Sequence, residues 1–81
     1  AKKIRESLQA TAGVESVIHM KTLYLGPDEL MVAAKIAVNA SASAQDIATV
    51  IDVAESAVRE AVPAARVIYL EPDIARVSAK K

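Results

Sequence analysis

Cysteine, tryptophan and phenylalanine are absent, and other residue types are scarce: two Gly, three Pro, two Tyr and one His in 81 residues. Without Cys there is no disulfide, no thiol nucleophile and no thiolate zinc site. The single His19 makes no histidine cluster. With Tyr24 and Tyr69 as the only aromatic side chains, stacking along single-stranded nucleic acid has little to build on. Ten basic and ten acidic residues cancel. That balance excludes the strongly basic surface of a duplex-binding domain and a polyacidic tail. The longest unbroken apolar run, Leu30–Ala34, is five residues, against roughly 20 needed to cross a bilayer as a helix. Ala1-Lys2-Lys3 is not followed by the apolar segment of a signal peptide. Gly13 and Gly26 stand alone, so there is no glycine-rich phosphate loop. No spacing suggests a nucleophile with its base.

What is present is apolar: 53% of residues, led by Ala, Val and Ile. That is too much for a disordered chain. The length fits one domain, which at this size buries only about 60–65% of its unfolded surface. The chain starts without Met, as a processed protein or a piece of a longer one would, and the start inside a helical pattern favours the piece.

The spacing predicts a helix over 1–12, with Ile4, Leu8 and Ala12 on one stripe and Gly13 at its left-handed cap. Period-two alternation over 14–25 predicts a strand. Val14, Ser16, Ile18, Met20 and Thr22 share one face; Glu15, Val17, His19, Lys21 and Leu23 share the other. Gly26-Pro27-Asp28-Glu29 is a turn. A second alternating run, 30–38, makes this an antiparallel hairpin. Ser43 is placed to cap a helix, with Asp46 completing a capping box. Ile47, Val50, Ile51, Ala54, Val58, Ala61 and Val62 then repeat at helical spacing up to Pro63. Residues 65–71 predict a third strand, ended by Pro72. Residues 74–81 read as a loose tail.

The order α-β-β-α-β, with a right-handed crossover from the second strand to the third, makes the last two strands parallel. The fold class is α+β: a ferredoxin-like open sandwich, a three-stranded mixed sheet with two helices on one face. The other face would carry Val17, Leu23, Met31, Ala33 and Tyr69. It is more apolar than a solvated face needs and suits a second copy of the chain.

Candidate chemistry is sparse. Asp28 and Glu29 lie in a hairpin turn and suit turn chemistry. Glu71 and Asp73 flank Pro72 at a strand end, where they could accept backbone N–H groups or hold a metal. His19 admits three roles: a metal ligand, a pH-sensitive contact across a dimer, or a partly exposed strand residue.

The segment from Gly13 through the hairpin turn Gly26-Pro27-Asp28-Glu29-Leu30, then Lys35-Ile36-Ala37-Val38, then Arg66-Val67-Ile68-Tyr69-Leu70-Glu71-Pro72, resembles the C-terminal cytoplasmic domain of cation diffusion facilitator transporters. The resemblance covers residues 4–73 and implies the same αββαβ fold. It implies a role as the dimerisation and regulatory domain of a divalent-cation, zinc-type efflux transporter driven by proton antiport in a membrane part outside this chain. Residues 1–12 would then connect to that membrane part, 14–73 would form the core, and the domain would sit at the cytoplasmic face of the membrane. The implied partners are a second copy and the membrane domain of the same parent chain, without nucleic acid and without membrane insertion by this segment.

The metal ligands that the resemblance implies do not carry over. The first-strand His position falls at Ile18, beside His19. The second falls at Ala34 or Lys35. The last-strand His and acid fall at Tyr69 and Glu71. Only Glu71 keeps ligand chemistry, so the expectation is a dimer that requires no metal. A weakly held divalent cation such as zinc would use His19, Glu71 and Asp73. The alternative from another class is a small-molecule-binding regulatory domain of ferredoxin-like fold, since fold does not fix function.

Overall fold

A computed structural model describes residues 2–75. Helix α1 spans Lys2–Gln9, strand β1 Ser16–Gly26, strand β2 Glu29–Val38, helix α2 Ala44–Ala61 and strand β3 Ala65–Ile74. The sheet order is β1-β2-β3. β1 pairs antiparallel with β2, and β3 pairs parallel with β2. The predicted order and mixed pairing are those observed.

α2 begins as its sequence dictates. The Ser43 hydroxyl accepts from the Asp46 N–H at 3.0 Å, and the Asp46 carboxylate accepts from the Ser43 N–H at 3.1 Å. The pair satisfies two amides that the first helical turn leaves without partners. Along α2, Ala54 and Val58 are buried, with Ile47, Val50, Ile51 and Val62 half-buried beside them. Ala54 and Val58, with Val62 against them, meet Ile4 and Leu8 of α1, Leu30, Val32 and Ala34 of β2, and Ala65 and Ile68 of β3 in one core. Both helices therefore cover the same sheet face. Full burial of each Ile, Leu or Val side chain stabilises the fold by roughly 1.5–3 kcal/mol.

Four expectations are corrected. First, α1 stops at Gln9 rather than 12. Thr11 turns inward, its hydroxyl donating to the Ser7 carbonyl at 2.8 Å, and Ala12 is exposed. The turn closes at Gly13, whose φ of +94° suits glycine. A Cβ at that position would collide with Val50, so the junction also brings α2 close.

Second, Val17 lies on the helix side and not the open face. The register runs Val17↔Ile36, then His19↔Lys35, leaving Ile18 as an extra residue. This β-bulge resets the alternation. Val17 packs against the core, whereas Ile18 is 48% exposed.

Third, Pro72 does not end β3. The ladder continues Ile36↔Pro72, Ala37↔Asp73 and Val38↔Ile74, and the Ala75 N–H donates to the Val38 carbonyl at 2.8 Å. Alternate residues of a strand point their N–H groups the same way. Residues 71, 73 and 75 thus face β2, and the missing N–H of Pro72 faces the open edge. Proline is tolerated there.

Fourth, Ala61, expected on the buried stripe of α2, is exposed at the helix end. Ile74 and Ala75 are tied into the sheet, and the rest of the predicted tail lies outside the described residues.

Candidate functional site

The open face of the sheet is read off the register in three rows. Leu23, Met31 and Val67 form one; Lys21, Ala33 and Tyr69 the next; His19, Lys35 and Glu71 the third. Beyond them, Asp73 stands opposite Ala37, which stands opposite Ser16. Directly opposed residues in an antiparallel pair hold their Cβ atoms about 4.5–5.5 Å apart, so the β1 and β2 members of each row are close neighbours.

The apolar end of this face is uncovered. Leu23 is 54% exposed and Tyr69 63% exposed, with Met31, Ala33 and Val67 half-buried between their neighbours. Leu23, Met31, Ala33 and Tyr69 are thus where the alternation placed them. Val67, not singled out in the sequence, shares the parity of Tyr69 and so its face; the bulge at Arg66, between Leu30↔Ala65 and Met31↔Val67, shifts Ala65 instead.

The polar end centres on Lys35. Its Nζ lies 3.8 Å from Glu71 Oε2. Lys35 is half-buried on the central strand, and Glu71 and His19 are exposed on either side. The pair is too exposed for its Coulomb attraction to stabilise the fold by much. Its value is positional: it fixes which group stands in the middle of the row. A groove of about 470 Å³ runs over this region, its walls including His19, Lys21, Lys35, Tyr69 and Glu71.

The two second-strand positions left open by the resemblance separate cleanly. Ala34 faces the helices, opposite Met20 and Leu70, whereas Lys35 takes the open-face row. His19 stands opposite Lys35 in that row, as the alternation with Lys21 and Leu23 requires, while the bulge leaves Ile18 without a ladder partner. His19 and Glu71 therefore share one row, with Lys35 on the strand between them and its ammonium beside Glu71. Asp73 is on the same side one row further along, its carboxylate accepting from the Ile74 N–H at 2.8 Å. Among the described residues no three His, Asp or Glu side chains converge to hold a metal ion. The donor set does not fit a tetrahedral zinc site, which takes four ligands or three plus water. Asp28 and Glu29 lie at the far hairpin tip, where Glu29 pairs with Gly26.

This fold is shared with solved structures of the MamM C-terminal domain. A doubly substituted form superposes with a TM-score of 0.87 and 20% identity, over 94% of this chain and 90% of that one. A nickel form of another variant gives 0.87 and 17%, over 93% and 94%. A manganese form gives 0.85 and 19%, over 91% and 92%. At these identities the likeness defines the fold. No curated protein sequence matches the chain. The family is defined by sequence: the family model for the cytoplasmic domain of cation efflux proteins matches residues 1–73, and the chain belongs to that family. It is a transporter's cytoplasmic domain and not an enzyme. No helix among the described residues is long and apolar enough to cross a membrane.

Proposed function

We propose that this domain joins two protomers of a divalent-cation efflux transporter through the open face of its sheet, and that it does so without a bound metal. Transport of a zinc-type cation in exchange for protons would belong to the membrane part of the parent chain. The domain, at the cytoplasmic face, holds the protomers together and tunes their relative motion.

The observation that carries this reading is the apolar end of the open face. Leu23, Met31, Val67 and Tyr69 lie side by side with no element among the described residues over them. A patch with aromatic and Met side chains in its middle and charges at one end has the composition of an interface core and rim. A two-fold pairing uses the same patch on both copies, so one sequence serves both sides. The metal-free part rests on Lys35. MamM domains are known in nickel, cadmium, copper and manganese forms, but here a lysine occupies the central-strand position between the nearest ligand-type groups, its ammonium beside Glu71.

Light scattering of the isolated domain, first with chelator and then with excess zinc, tests the proposal. A dimer mass in both conditions is expected. A monomer in both removes this face as an autonomous interface. A monomer that pairs only with zinc overturns the metal-free reading and directs mutagenesis to His19, Glu71 and Asp73.

A further inference from the structure

We propose that Lys35 is a built-in replacement for a metal ion on this sheet face, and that its ammonium is what keeps His19, Glu71 and Asp73 from acting as a divalent-cation site. The inference deepens the metal-free pairing proposed above and rests on it for its role in the transporter.

The argument is one of position and charge. Lys35 is on the central strand, with His19 its partner on β1 and Glu71 its partner on β3. A cation bridging the imidazole and the carboxylate would have to lie over the middle strand. That is where the Lys35 side chain stands, its Nζ 3.8 Å from Glu71 Oε2. Two positive charges a few ångströms apart repel strongly near a protein surface, where the effective dielectric is well below that of water. A dication doubles that repulsion. Lysine also supplies three donors and no acceptor while protonated, so it gives a metal nothing to bind.

The same substitution removes the need for metal. A Glu71 carboxylate covered by a second copy would lose water and need a compensating charge. Lys35 supplies the compensating charge permanently and from within the same chain. The remaining groups are still of ligand type. His19 and Glu71 are in the row, and Asp73 follows Glu71 by two residues on the same side of β3. A ligand placed at position 35 would therefore complete a set of imidazole and carboxylate donors that divalent first-row metals and zinc accept.

The test is zinc titration of the wild-type domain, Lys35→His and Lys35→Met by calorimetry, with circular dichroism to show that each is folded. Lys35→His is expected to bind zinc at least about tenfold more tightly than wild type, and Lys35→Met to tighten it by a smaller factor by removing the charge alone. Stoichiometric zinc uptake by wild type, or equal affinity in wild type and Lys35→His, overturns the proposal. If Lys35→His does not fold, the comparison passes to Lys35→Met, and an affinity unchanged from wild type there overturns it. Light scattering of the same samples separates this from the dimer reading. Wild type that stays monomeric in every condition sinks the pairing, while the zinc affinities still decide the role of Lys35.

Discussion

The two faces of the sheet are made by the same three strands, yet they are built on different terms. On the helix side, Val32, Ala34 and Ile36 of β2 are buried, and α1 and α2 cover the face around them with Ile4, Leu8, Ala54 and Val58. On the open side, Leu23 and Tyr69 remain more than half exposed, and charge gathers at one end around Lys35. The covered face draws its stability from the chain's own packing. The open face contributes little to folding until something else covers it. The difference teaches that an apolar residue in a strand has no single meaning; its partner across the face decides whether it is core or interface.

The comparison breaks most visibly on the covered side. Leu8 is fully buried between α1 and the sheet. Leu8→Ala is expected to destabilise the domain by about 2–5 kcal/mol, the sum of lost transfer energy and a residual cavity. For a small domain whose whole stability is of order 5–15 kcal/mol, this is a large share. Urea unfolding measures it. A loss below about 1 kcal/mol would mean that α1 is not part of the core.

Next in size is the junction that sets α1 against α2. Gly13→Ala places a Cβ at a residue with φ +94° and drives it against Val50. Left-handed strain and the displaced side chain together are expected to cost about 1–3 kcal/mol. The midpoint should fall with the slope of the urea transition unchanged, because the unfolded chain exposes the same surface. An unchanged midpoint would show that the junction relaxes without strain.

Much of the architecture was legible because it is local. Ser43 and Asp46 close a capping box within four residues, and the 3.6-residue repeat from Ile47 to Val58 needs only helical geometry. Pro27 and Asp28 mark the hairpin turn. What failed to show was where the period-two pattern slips. Val17 and His19 are two apart in sequence and stand on opposite faces, because the bulge at Ile18 inserts one residue between them. The signal was present in the adjacent pair Val17-Ile18, where two apolar residues interrupt the alternation. Pro72 misled for a different reason: its effect on a strand depends on whether the strand has a neighbour on that side, which no local window reveals. The alternation already puts His19 on the open face, and His19 and Glu71 could be grouped as ligand-type residues. That they share one row with Lys35 comes from the pairing register between strands, which no single strand's pattern contains.

The smallest effect on folding sharpens the comparison most. Tyr69 stands in the middle of the open face, opposite Ala33 and in the row of Lys21. Tyr69→Ala removes a large side chain from solvent, not from a core, so folding stability should change by no more than about 0.5 kcal/mol. This must be read at protein concentrations where the protomers are separate, because pairing adds its own stabilisation by mass action. The same substitution should weaken self-association by about tenfold or more, since buried aromatic residues carry a disproportionate share of interface energy. Sedimentation across a concentration series gives that second number. Leu8→Ala and Tyr69→Ala thus form a pair with opposite expectations: the first loses folding stability and the second loses pairing. If Tyr69→Ala destabilised the separate protomer as much as Leu8→Ala does, the open face would be part of the folding core, and the case for reserving it to a second copy would fall.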